Sequence, residues 1–141
     1  MPATRSKHNA GPSAAPRNRA AILDAARTLF AEQGYHVPYN AIAKAAAVGQ
    51  GVLYRHFPRR VDLALAVLDD NFTAMERLAE ATPGAECFTA VWRRLVADTV
   101  SSTAFIDMVI DQHPQLPDGL GEDRLAAILE GPLARAQAAG L

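Results

Sequence analysis

Apolar residues recur every three or four positions along most of the chain, and the breaks in that rhythm predict seven helices. Ile22, Ala25, Ala26, Leu29 and Phe30 form one stripe in a run that opens at Arg17, and Gly34 closes it as a helix C-cap would. Val37-Pro38 leads into a short helix over about residues 39–46, because proline in a first turn gives up an N–H that has no intrahelical partner. A third helix, from about Gln50 to Phe57, sets Leu53 and Phe57 one turn apart and ends at Pro58. Leu63, Val67, Leu68, Phe72, Met75, Leu78 and Ala79 keep the period until Thr82-Pro83-Gly84 breaks it. Phe88, Val91, Trp92, Leu95, Val96 and Val100 define a fifth helix, and Ala104, Phe105, Met108 and Val109 a sixth. His113-Pro114 to Gly121 reads as loop, and a seventh helix from about Asp123 is expected to be interrupted at Gly131-Pro132. No stretch alternates as a half-buried strand does, and no internal repeat is present, so the expected fold class is all-α.

Charge changes the picture more than composition does. Half of the 141 residues are hydrophobic and 21% are charged, which excludes disordered and fibrous classes and leaves about one globular domain. The net charge of -1 hides a division after Arg60. Residues 1–60 hold nine Lys and Arg against two acids, Asp24 and Glu32, whereas the remainder is acidic. A basic half joined to an acidic half points to a polyanion-binding surface at one end. Residues 1–16, with Pro2, Pro12, Pro16, Gly11, Ser6 and Ser13 around Arg5, Lys7 and His8, read as a disordered basic arm. The single cysteine, Cys87, offers no intrachain disulfide, and no zinc-ligand spacing, signal peptide or membrane-spanning stretch occurs. The expected location is the cytoplasm, without membrane partner or cofactor.

The segment from Ile42 to Phe57 reads as two short helices joined by a three-residue turn, the spacing of a helix-turn-helix. Ala43 supplies the small residue that a steep crossing needs, and Ile42, Ala46, Val48 and Leu53 supply the shared apolar faces. The outer face of the second helix then presents Gln50, Gly51, Val52, Tyr54 and Arg55, with His56 beside them and Arg59 and Arg60 opening the next helix. An exposed helix of this kind fits the roughly 12 Å wide major groove of B-DNA. The expected organisation is a three-helix head over residues 17–60 and a helical bundle of about four helices over residues 61–141.

Gly34-Tyr35, Ile42-Ala43, the run Gly51-Val52-Leu53-Tyr54-Arg55-His56-Phe57 and Leu63 resemble the amino-terminal domain of the TetR-type transcriptional repressors, over about Arg17 to Leu68. The resemblance implies an all-α regulator that binds double-stranded operator DNA as a homodimer, with later helices building the dimer interface and a small-molecule effector pocket. It places Gln50, Gly51 and Val52 at base edges, Tyr54 and His56 at phosphates, and Arg60 where a basic residue grips the backbone. Arg55, and Pro38 and Tyr39 at the start of the second helix, complete the implied DNA-contacting set. Glutamine can pair bidentately with adenine, and a valine methyl can touch a thymine methyl.

The chain departs from the family pattern in three places. The turn reads Ala46-Ala47-Val48 where the family has Ala-Gly-Val, and alanine in a left-handed conformation costs on the order of 1 kcal/mol. Pro38 and Val52 stand where threonines are frequent, removing two hydroxyls. Residues 61–141 are expected to be incomplete as a regulatory and dimerisation region, since family members usually continue into two further helices.

Those departures support a competing reading, a shortened relative that pairs with full-length regulators and titrates them without reading DNA. An enzyme is not expected, because no nucleophile–base pair, carboxylate pair, phosphate-cradling loop or metal motif is found. Phe88, Trp92, Phe105 and Met108 read as core rather than ligand site, His113 as a loop residue and Cys87 as a small buried apolar group.

Overall fold

The structure is a computed structural model, and it describes residues 14–100, 103–112, 118–119 and 121–140. Among the described residues the elements are α1 (Ala14–Gln33), α2 (Tyr39–Ala46), α3 (Gln50–His56), α4 (Arg60–Ala81), α5 (Glu86–Val100), α6 (Thr103–Gln112) and α7 (Glu122–Ala138), with no strand. The all-α class and the seven helices expected from periodicity are therefore what the described residues form. No helix among the described residues is long and apolar enough to cross a membrane.

Two elements differ from expectation. α1 starts at Ala14 rather than Arg17, because the two alanines favour helix and Pro16 falls in the first turn, where it costs no hydrogen bond. The basic arm thus loses residues 14–16 to the helix, and its residues 1–13 lie outside the described residues, as does most of the loop from His113 to Gly121. α7 is not interrupted at Gly131-Pro132 but runs through it. Ile128, Pro132 and Ala136, spaced by four, form its buried stripe, so the proline ring serves as packing surface on the inward face and tertiary contact outweighs the missing N–H.

The helices gather around two cores. Ile22, Ala26 and Phe30 of α1 meet Ile42 and Ala43 of α2, Leu53 of α3 and Val61, Leu63 and Val67 of α4, with Met108 of α6 completing the cluster. Phe72 and Met75 of α4 join Cys87 and Val91 of α5 and Ile128 of α7 in the second. α4 is thus a spine whose first half belongs to the head and whose second half belongs to the bundle. Charged side chains fasten both halves from outside. Arg27 of α1 reaches Asn71 at 3.2 Å and pairs with Asp70, both on α4, while Arg124 of α7 bonds Thr73 and Glu76 at 2.8 and 2.7 Å with its guanidinium over the Phe72 ring.

Met108 and Cys87 are core residues as expected, but Trp92 is not, remaining 49% exposed. It stacks on Phe88 one turn away, centroids 6.0 Å apart, on the side of α5 that faces away from both clusters.

Candidate nucleic-acid interface

The turn between α2 and α3 is built from backbone hydrogen bonds. Ala47 takes the left-handed conformation, φ 57° and ψ 41°, and is the one non-glycine residue with positive φ among the described residues. Its N–H donates to Lys44 at 3.1 Å and that of Val48 donates to Ala43 at 3.0 Å, which satisfies the last carbonyls of α2 as a Schellman ending does. Alanine in place of glycine therefore does not open the turn. Gly49 then caps α3 in an extended conformation, and the N–H groups of Val52 and Leu53 both donate to its carbonyl at 3.1 Å.

Leu53 anchors α3. It is fully buried in the head core, and one fixed inward position on a seven-residue helix dictates what the others face. Gln50, Gly51 and Arg55 are exposed, Tyr54 is 51% exposed, and Val52 and His56 are half-buried. Pro38 is exposed at the entry to α2. A Cβ built on Gly51 would meet no atom within 4 Å, so no neighbour inside the described residues requires glycine there. Between Glu32 and Asp62 the chain carries no acidic residue, and all of α2 and α3 lies in that interval.

Two of the expected contact residues point elsewhere. Tyr39 is 8% exposed, and its hydroxyl lies 2.9 Å from the Phe57 carbonyl and 3.1 Å from that of Arg59. Burial pushes its ionisation up to about 12, partly offset by the Arg60 charge. Arg60 is also turned inward. Its guanidinium donates to the carbonyls of Tyr35, at 3.0 Å, and Val37, and lies over the rings of Tyr35 and Tyr39 at 5.8 and 5.3 Å. The physical reason is similar for both: the loop before α2 and the end of α3 leave the carbonyls of Tyr35, Val37 and Phe57 outside the helical ladder, and these two side chains satisfy them, whereas the Arg59 carbonyl already accepts the N–H groups of Asp62 and Leu63 at 3.1 and 3.3 Å.

The neighbouring Arg59 stays exposed, paired with Asp62 at 2.8 Å. The hydrogen bond from Arg59 holds the Asp62 carboxyl below its ordinary range, and the same carboxylate accepts the Arg59 N–H at 3.1 Å, capping α4. One cation that periodicity did not single out joins the surface: Arg19 of α1, exposed, with its guanidinium 5.4 Å above the Phe57 ring at the end of α3. The available signal was the pair Arg17 and Arg19 on the solvent side of the first turns of α1.

A buried anchor, a closed turn and an outward helix free of acids define a helix-turn-helix protein of the all-α kind. Comparison with known proteins agrees. Residues 22–67 match the model of the bacterial regulatory proteins, tetR family. The chain is 33% identical to a TetR transcription regulatory protein from Mycobacterium vanbaalenii, with a TM-score of 0.76 over 91% of this chain and 80% of that one. It is 30% identical over 114 residues to the HTH-type transcriptional regulator UidR of Escherichia coli K12, covering 79% of this chain and 57% of that protein. It is 34% identical over 83 residues to the HTH-type transcriptional repressor KstR of Rhodococcus jostii, covering 58% and 39%. The chain thus spans between about two fifths and three fifths of the length of these two curated relatives. It belongs to the TetR family of bacterial regulatory proteins.

Proposed function

We propose that the chain is a sequence-specific DNA-binding transcriptional regulator, a repressor that acts in the cytoplasm by occupying promoter DNA. The observation that carries this reading is α3 itself, held by a fully buried Leu53 while Gln50, Gly51, Tyr54 and Arg55 face outward. Gln50, Gly51 and Val52 would meet base edges, and Tyr54, Arg55 and His56 phosphates, with Pro38 at the flank. The names of the relatives, a regulator and a repressor, support the same function. In this reading residues 17–60 form the DNA-binding unit and the helices beyond it the regulatory one.

As a homodimer the protein would set two α3 helices into successive major grooves, on half-sites about 34 Å apart. A small, mostly apolar effector would bind beside α4. Two adjoining cavities of about 200 and 240 Å³ share Leu68, Asn71, Asp98 and Phe105 as walls, the first reaching α1 and the second α7. α4 lines both and leads directly back to α3, so an effector that favours one placement of α4 shifts the head.

Selection from a randomised duplex library tests the proposal. Enrichment of a near-palindromic consensus supports a dimeric, sequence-reading regulator, and failure of a correctly folded helical protein to enrich any sequence contradicts it.

A further inference from the structure

Tyr39 and Arg60 pack against each other in the head and hold each other's loops. Tyr39, the first residue of α2, places its hydroxyl between the carbonyls of Phe57 and Arg59, the residues that end α3 and precede α4. Arg60, the first residue of α4, donates to the carbonyls of Tyr35 and Val37 in the loop that precedes α2. The guanidinium lies over the Tyr39 ring at 5.3 Å, so the two ties share a face. Tyr39 also meets Tyr54, whose ring centroid is 4.9 Å from its own. The path from α4 to the outward face of α3 is therefore two side chains long.

We propose that Arg60 and Tyr39 are positioning residues: together they preset α3 against α4, and Arg60 performs this role in place of a phosphate contact. The inference rests on the DNA-binding reading above. To reach a phosphate the guanidinium would leave two carbonyls and two aromatic faces, and half-buried carbonyls without donors are costly. Its guanidinium also suits this site better than an ammonium would, because a flat, delocalised group can serve the two carbonyls while lying over two rings. Since α4 lines both cavities, the interlock is also the element through which a displaced α4 would carry Tyr54 with it.

Binding to the selected operator, followed against salt concentration, separates positioning from phosphate contact. A side chain that neutralises a phosphate contributes about -0.9 to the log–log slope, and one that only positions the helix contributes nothing. For Arg60→Gln, Arg60→Lys and Tyr39→Phe, each at wild-type helical content, affinity is expected to fall about tenfold at fixed salt, equivalent to about 1.4 kcal/mol, with the wild-type slope retained. A slope reduced by about 0.9 in Arg60→Gln, with Arg60→Lys behaving as wild type, would show a phosphate contact and overturn the proposal. Affinity unchanged in both Arg60→Gln and Tyr39→Phe, with only the melting temperature lowered, would reduce the interlock to packing and overturn it as well. A wild-type protein that selects no operator sinks the DNA-binding reading first, before any variant is compared.

Discussion

The ring of Tyr54 rests on the ring of Tyr39, centroids 4.9 Å apart and planes at 55°. A side chain half in solvent on a seven-residue helix would ordinarily sample several rotamers, and here a buried neighbour restricts it. The outward face of α3 is thereby prepared before any ligand arrives, which lowers the ordering cost of binding.

Tyr54→Ala therefore separates function from stability. Operator affinity is expected to fall by on the order of tenfold, while unfolding free energy falls by about 1 kcal/mol, the worth of one aromatic pair. Leu53→Ala, one residue earlier, is expected to cost about 2–5 kcal/mol of stability because it empties the anchor of α3. Urea denaturation and titration of an operator duplex measure the two quantities on the same preparations.

Ala47 holds a conformation that glycine adopts without strain. Ala47→Gly is expected to raise stability by about 1 kcal/mol, through a higher urea midpoint at unchanged slope. Ala47→Val is expected to lower it, since a branched Cβ is worse still at φ 57°.

Gly121 and Gly84 make a matched pair at φ 78° and 69°. A Cβ on Gly121 would lie 2.5 Å from Cε2 of Phe72, whereas one on Gly84 would meet nothing within 4 Å. Gly84→Ala is expected to cost only the backbone term of about 1 kcal/mol, and Gly121→Ala clearly more. A smaller side chain at position 72, Phe72→Leu, should recover part of the excess in a double-mutant cycle.

These positions also show what could be read before the structure. The head was legible because its signals are local: Gly34 as a stop, Pro38 in a first turn, Leu53 and Phe57 one turn apart. Even the left-handed turn was readable, from the resemblance that sets a family glycine where this chain has Ala47. The roles of Tyr39 and Arg60 were not, because whether a tyrosine or an arginine faces solvent depends on carbonyls left open 18–25 residues away. Pro132 misled for a similar reason. A proline reads as a break along the chain, and only the buried stripe of Ile128, Pro132 and Ala136 shows it as packing surface.

Tyr39 also sets an alkaline limit. Its hydroxyl is buried and neutral, with ionisation moved from the ordinary 10.0 to about 12. A proton held more tightly in the folded state stabilises fully below the unfolded value, and that contribution is lost as pH rises from about 10 through 12. Stability of the wild type should fall across that window, on the order of 2 kcal/mol from this group, and Tyr39→Phe should flatten the fall. Urea midpoints at stepped pH, with tyrosinate absorbance followed in parallel, give the comparison.

The central claim is that α3 reads DNA sequence, and Gln50 tests it most directly. On the selected operator and on duplexes altered one base pair at a time, Gln50→Ala is expected to lose about 1–3 kcal/mol at one symmetric pair of positions and to become indifferent to the base there. Discrimination at other positions should persist. Unchanged base preference at every position in Gln50→Ala and in the neighbouring Val52→Ala would mean that α3 does not face the bases, and would contradict the account.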